Sequence, residues 1–169
     1  MIRFSIIFPL ILMSLSLAGQ TGREMKTPSD SLYQSNIKKS KLYGVYIPRD
    51  LDDALTQLIK LTDESAREKL KTTDEETVAR KLHFGLGRWM EYNWNFVEGS
   101  RFSHYLREQG LFHHDDMVRF MLICFHRYLA KRPLESEVLI HTLQEERKAK
   151  IKAEQEKLEV ISVEKKGDN

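Results

Sequence analysis

From Leu51 onward the apolar residues recur at intervals of three and four, and no alternating run of strand length appears. Leu51, Leu55, Leu58 and Ile59 form an i, i+4, i+7, i+8 stripe, with Asp50 placed to cap it. Thr62 or Asp63 opens a second short helix to about Lys71. Thr73 and Glu76 make a Thr-x-x-Glu capping box for a third, carrying Val78 and Leu82. That helix can run on across Gly85-Leu86-Gly87, which sets Leu82, Leu86, Trp89 and Met90 on one face with Trp94 near it. A glycine inside a helix costs about 1 kcal/mol relative to alanine, so the pair predicts a close backbone approach or a break.

Glu98-Gly99-Ser100 reads as a turn, with Ser100 as a cap. Phe102, Tyr105 and Leu106 then form a short amphipathic helix that stops at Gly110. Asp115 or its neighbour caps the next helix, on which Met117, Phe120, Met121, Cys124, Tyr128 and Leu129 hold helical spacing. Val118, Leu122 and Ile123 make it apolar over much of its circumference, so it is expected at the centre. Pro133 is placed to open a last helix through Leu134, Val138, Leu139 and Leu143. Beyond Gln144 only Ile151 and Leu158 interrupt a charged stretch, too few heptads for a coiled coil.

The fold class expected is all-α: a compact bundle of about five or six helices over residues 43–144, followed by a charged helical or frayed tail over 145–169. Tyr43 to Pro48 is expected as a short extended approach, because Pro48 holds Ile47 out of the helical region. Ahead of it, residues 19–42 are polar and rich in Ser, Lys and Thr, and read as a disordered linker. Residues 1–18 read as a signal peptide: Arg3, an apolar run from Ile6 to Leu17, then Ser16-Leu17-Ala18 ahead of the cut. The run is short for a membrane span, and Gln20 stands where a lipidated cysteine would be needed. The chain is therefore expected to be exported, periplasmic or secreted, with no stable membrane anchor after cleavage.

Cys124 is the sole cysteine among 169 residues, so no intramolecular disulfide can form, and its place in MLICF makes it a core residue. The net charge of +2 is spread along the chain without a basic stripe, which removes the electrostatic footprint of a nucleic-acid partner.

Chemistry-bearing residues concentrate between Leu82 and Leu129, which hold both tryptophans, the cysteine and five of the six histidines. His83, His113, His114 and His126 could approach one another with Asp115 or Asp116, but their spacing matches no metal motif. No metal or other cofactor is expected. As catalytic candidates, His83 and His126 would serve as acid or base with Asp115 or Asp116. Asp115, Arg119 and His126 fall near one helix face, and no G-x-S-x-G nucleophile is present. As binding candidates, Arg88, Asn93, Trp94, Ser100, Arg101 and His113 combine amphipathic rings with a planar cation around a turn and a loop. The functions that follow are a binding or interaction module for an unidentified protein or small molecule or, as the alternative, a small hydrolase with a His/Asp site.

The order of several short motifs carries a resemblance. Gly44-Val45-Tyr46-Ile47-Pro48-x-Asp50-Leu51-Asp52-Asp53, His83-Phe84-Gly85-Leu86-Gly87-x-Trp89, Asn93-Trp94, Gly99-Ser100-Arg101, Asp115-Asp116-Met117 and His126-Arg127-Tyr128-Leu129 resemble the bacterial domain family DUF6794 over about Tyr43 to Leu143. The family pattern tends to have proline where His114 stands and glycine in the stretch of Phe96, Val97 and Glu98. The first difference weighs against a metal role for His114. The resemblance implies a small, mostly helical bacterial domain and no particular activity.

Overall fold

The computed structural model describes residues 28–167, so the expected signal peptide lies outside the described residues. The elements in chain order are α1 (Pro28–Asn36), β1 (Lys41–Leu42), β2 (Val45–Tyr46), α2 (Leu51–Leu61), α3 (Glu64–Thr72), α4 (Glu75–Leu82), a π-helical segment (His83–Gly87), α5 (Arg88–Asn93), α6 (Arg101–Glu108), α7 (His114–Leu129) and α8 (Ser136–Gly167). Because α4, the π segment and α5 follow without a gap, they make one rod. Counting the rod once, six helices follow residue 43, and the mostly-α class stands. Among the described residues no helix is long and apolar enough to cross a membrane.

Short polar caps start the helices. Asp50, Asp63 and Asp74 accept the backbone N–H of Asp53, Ala66 and Thr77, each three residues on. The capping box expected at Thr73 therefore gives way to Asp74. Thr73 instead closes α3, its hydroxyl donating to the Lys69 carbonyl at 2.9 Å. Ser100 starts α6 as expected, with Ser103 answering in a reciprocal box. Ser136 opens α8, three residues later than Pro133 suggested; Glu135, just ahead, has a φ of 47°.

The core forms around α7, ten of whose sixteen residues are buried. Burying an aliphatic or aromatic side chain is worth about 1.5–3 kcal/mol each, so this helix carries a large share of the stabilisation. The rod crosses α7 at Gly87. A Cβ there would lie 2.7 Å from the Val118 side chain, which explains the glycine. Only the first part of α8 packs, through Leu139, Ile140 and Leu143; residues 148–158 are exposed.

Two differences from the sequence reading lie at the N-terminal side. The expected linker is helical from Pro28 on, and α1 lays Tyr33 across Gly99, whose φ of 106° and lack of a Cβ admit the ring. The expected extended approach is a hairpin, pairing Lys41 with Tyr46 and Leu42 with Val45. Its two-residue loop, Tyr43-Gly44, has positive φ at both positions (48° and 82°), the requirement of a type I′ turn.

Candidate functional site

Five residues, His83, Glu91, His113, His114 and Asp115, gather where the π segment and α5 pass the first turn of α7. His113 is the N-cap of α7, its Nδ1 accepting the Asp115 N–H at 3.2 Å. The same nitrogen lies 3.1 Å from Nη2 of Arg147 on α8. A guanidinium only donates, so this lone pair is shared between two N–H groups and the ring proton sits on Nε2. Burial, then Arg147 and His114, push the His113 pKa below the ordinary histidine value. Arg147 also grips Asp116 with both prongs, at 2.7 and 2.9 Å, so Asp116 is committed to pinning α8.

The His114 ring stacks on His113 at 4.5 Å between centroids. Its Nδ1 lies 2.6 Å from Oε1 of Glu91 and 3.6 Å from Oδ1 of Asp115, is sealed from water, and makes no aligned hydrogen bond. Glu91 is only 8% exposed, and Arg88 holds its other oxygen at 2.7 Å. His83 brings Nε2 to 3.9 Å from Asp115 Oδ1. One donor atom each from His113, His114 and Asp115 lie within 4.8 Å of one another. Glu91 escaped the sequence reading. Its only signal was the Arg88-x-x-Glu91 spacing beside an apolar stripe, while His114 is far along the chain.

Above Arg88 and Glu91 opens a groove of about 800 Å³ between the hairpin and α5 with the turn that follows it. Tyr43, Val45, Tyr92 and Val97 supply apolar walls; Arg88, Asn93, Asn95 and Glu98 supply polar groups. Tyr43 and Tyr92 are both 83% exposed. Asn93 donates to the Trp89 carbonyl at 2.9 Å and still lines the groove.

The other residues expected to bind face inward. Trp94 is 1% exposed, edge-on to Trp89 and Phe102 at 5.9 and 5.4 Å. It is a core ring and cannot meet a partner. Ser100 is fully buried in its capping box. Arg101 gives Nε and Nη2 to the Ile47 carbonyl at 2.8 and 2.5 Å and stacks over Tyr46, so it ties the hairpin to α6. Two of the six expected binding residues, Arg88 and Asn93, thus line the groove, and His113 lies in the cluster beside it.

The catalytic candidates divide in the same way. His83 and Asp115 converge at the start of α7, whereas His126 lies near its other end. There its Nε2 donates to the Thr73 carbonyl at 2.9 Å and the ring is 3% exposed. Burial raises the Cys124 thiol to about 12, which leaves it protonated and inert.

The model of a domain of unknown function, DUF6794, matches residues 47–129. The matched span runs from the hairpin exit to the end of α7, and this part of the chain belongs to that family. No curated protein and no solved structure matches the chain.

Proposed function

We propose that this is an exported bacterial binding module whose recognition surface is the groove between the hairpin and α5. The observation that carries the reading is the groove's make-up: two almost fully exposed tyrosines flank Arg88, Asn93 and Glu98 in a hollow of about 800 Å³. Binding sites commonly pair apolar walls with a few fixed polar groups, at volumes of roughly 300–1,000 Å³. Export rests on the N-terminal signal pattern. The hydrolase alternative has less support. His126 is remote from His83 and Asp115, and Ser100 and Cys124, both buried, are out of reach as nucleophiles for the pair.

A photoreactive phenylalanine analogue at Tyr92, in the intact chain inside its native host, tests the reading. Illumination should give a discrete adduct from position 92 and none from the exposed control position Leu61, which lies outside the groove. Equal labelling from both positions, or none from 92, defeats it.

A further inference from the structure

We propose that His113 is a proton-operated latch: with its ring neutral, one nitrogen fastens the start of α7 to Arg147 of α8, and a proton on that nitrogen undoes the fastening. His113 Nδ1 accepts the Asp115 N–H at 3.2 Å and faces Arg147 Nη2 at 3.1 Å. Both partners can only donate, so both need the lone pair. A protonated imidazole has none to offer, and it would set an N–H against two N–H groups. The positive N-terminal end of α7 opposes the new charge as well.

Four elements bring charged groups to this end of α7. On α7 itself, His114 stacks on the His113 ring at 4.5 Å, Asp115 brings Oδ2 to 3.8 Å from Nδ1, and Asp116 follows. Arg147 comes from α8. His83 of the π segment sits 3.9 Å from Asp115, and Glu91 of α5, held by Arg88, lies against His114 at 2.6 Å. The two aspartates favour a proton on His113. Burial, Arg147 and His114 outweigh them, so the ring takes its proton below the ordinary value of 6.5. The folded chain thus binds this proton less readily than the unfolded one, and stability falls as pH drops from 6.5 through the folded value.

The release reaches further than one cap. Arg147 also donates to both oxygens of Asp116, at 2.7 and 2.9 Å, and Asp116 lies in the turn that the His113 cap secures. Once the cap is lost that turn frays, and the anchor of Arg147 loosens with it. The His113 side chain is 41% exposed, so the charged ring has a way out to water. Among the described residues, Arg147 is the last on α8 with a bond to another element, and residues 148–158 are exposed. A proton on His113 therefore shortens the part of α8 that stays docked on the domain.

The test is an NMR titration of the isotope-labelled full chain from about pH 8 to about pH 5. The His113 ring should titrate below 6.5. The Asp115 amide and the Arg147 Nε–H should shift with the same midpoint. Amide protection at Asp115, Asp116 and Met117, corrected for the intrinsic effect of pH, should fall at least about threefold across that midpoint. Protection at Leu122, in the middle of α7, should not change. In His113→Asn, which keeps a capping side chain but gains no proton, all these signals should stay flat. His113→Ser takes its place if that variant does not fold. Arg147→Gln should raise the His113 midpoint, because a neighbouring cation is gone. A His113 midpoint at or above 6.5 overturns the proposal, and so does protection that holds steady through the titration. An undiminished step in His113→Asn overturns it equally, since the proton would then belong to His114 or His83.

Discussion

The two ends of α7 hold histidines of the same chemistry in opposite circumstances. At the C-terminal end, His126 is buried, its Nε2 held by the Thr73 carbonyl and its Nδ1 3.9 Å from Glu75. Glu75 in turn takes both prongs of Arg127 at 2.9 Å and Arg132 at 3.1 Å. The Glu75 carboxylate there is matched by two guanidinium groups, while His126 Nδ1 is buried without a hydrogen-bond partner. At the N-terminal end, three half-exposed imidazoles surround Asp115 at 3.6–3.9 Å without closing a hydrogen bond to its carboxylate. A histidine that completes a packed network holds the fold together. One that stays partly exposed beside a carboxylate without bonding it is open to a ligand. Counting histidines along the chain cannot separate the two.

The sharpest way to break this contrast is His126→Ala. The substitution opens a cavity under α3 and α4 and leaves the Thr73 carbonyl unpaired. Chemical denaturation should show a loss of about 2–4 kcal/mol with an unchanged slope. A loss under about 1 kcal/mol would mean that the C-terminal end is as open as the other.

Glu75→Gln should cost less, about 1–2 kcal/mol at neutral pH, because one hydrogen-bonded ion pair loses its charge while its shape is kept. Its pH signature is more telling. The Arg127 hydrogen bond is the main cause that holds the Glu75 pKa below its ordinary value. A carboxyl depressed in the folded state adds stability above its unfolded pKa, near 4.5. That stability is lost as pH falls from there through the folded value. The parent should therefore lose stability more steeply than Glu75→Gln below about pH 4.5. Parallel acid limbs would remove Glu75 from the network.

What the sequence made legible follows how local the cause is. The caps at Asp50 and Ser100, the start of α3 at Thr62 or Asp63 and the apolar stripe of α7 depend on neighbours within a few residues, and the structure agrees with them. The hairpin was not, since its first turn position is tyrosine at positive φ where Asn or Asp is the usual signal. Helix α1 was missed because it packs little beyond Tyr33 and Asn36, too few buried positions to make a stripe. The density of histidine marks the stretch in which His83, His113 and His114 gather around Asp115, and Arg88 and Asn93 line the groove beside it. Trp94 and Arg101 were misassigned because an amphipathic ring or a guanidinium beside a turn can face either way. Only the distant partners, Phe102 and Ile47, decide. Glu91 was missed for the same reason.

The smallest expected effect completes the contrast. His83→Ala removes an imidazole that is 31% exposed, touches Phe84 edge-on at 5.1 Å, and sits 3.9 Å from Asp115. Phe84 is itself 84% exposed, so little apolar surface is uncovered, and at 3.9 Å no hydrogen bond is lost. Stability should change by less than about 0.5 kcal/mol, against several times that for His126→Ala. Chemical denaturation of the two variants, run side by side, measures the difference. If His83→Ala were as costly as His126→Ala, the N-terminal cluster would be a structural network like the one around Glu75. Its histidines would then have no freedom to serve a ligand.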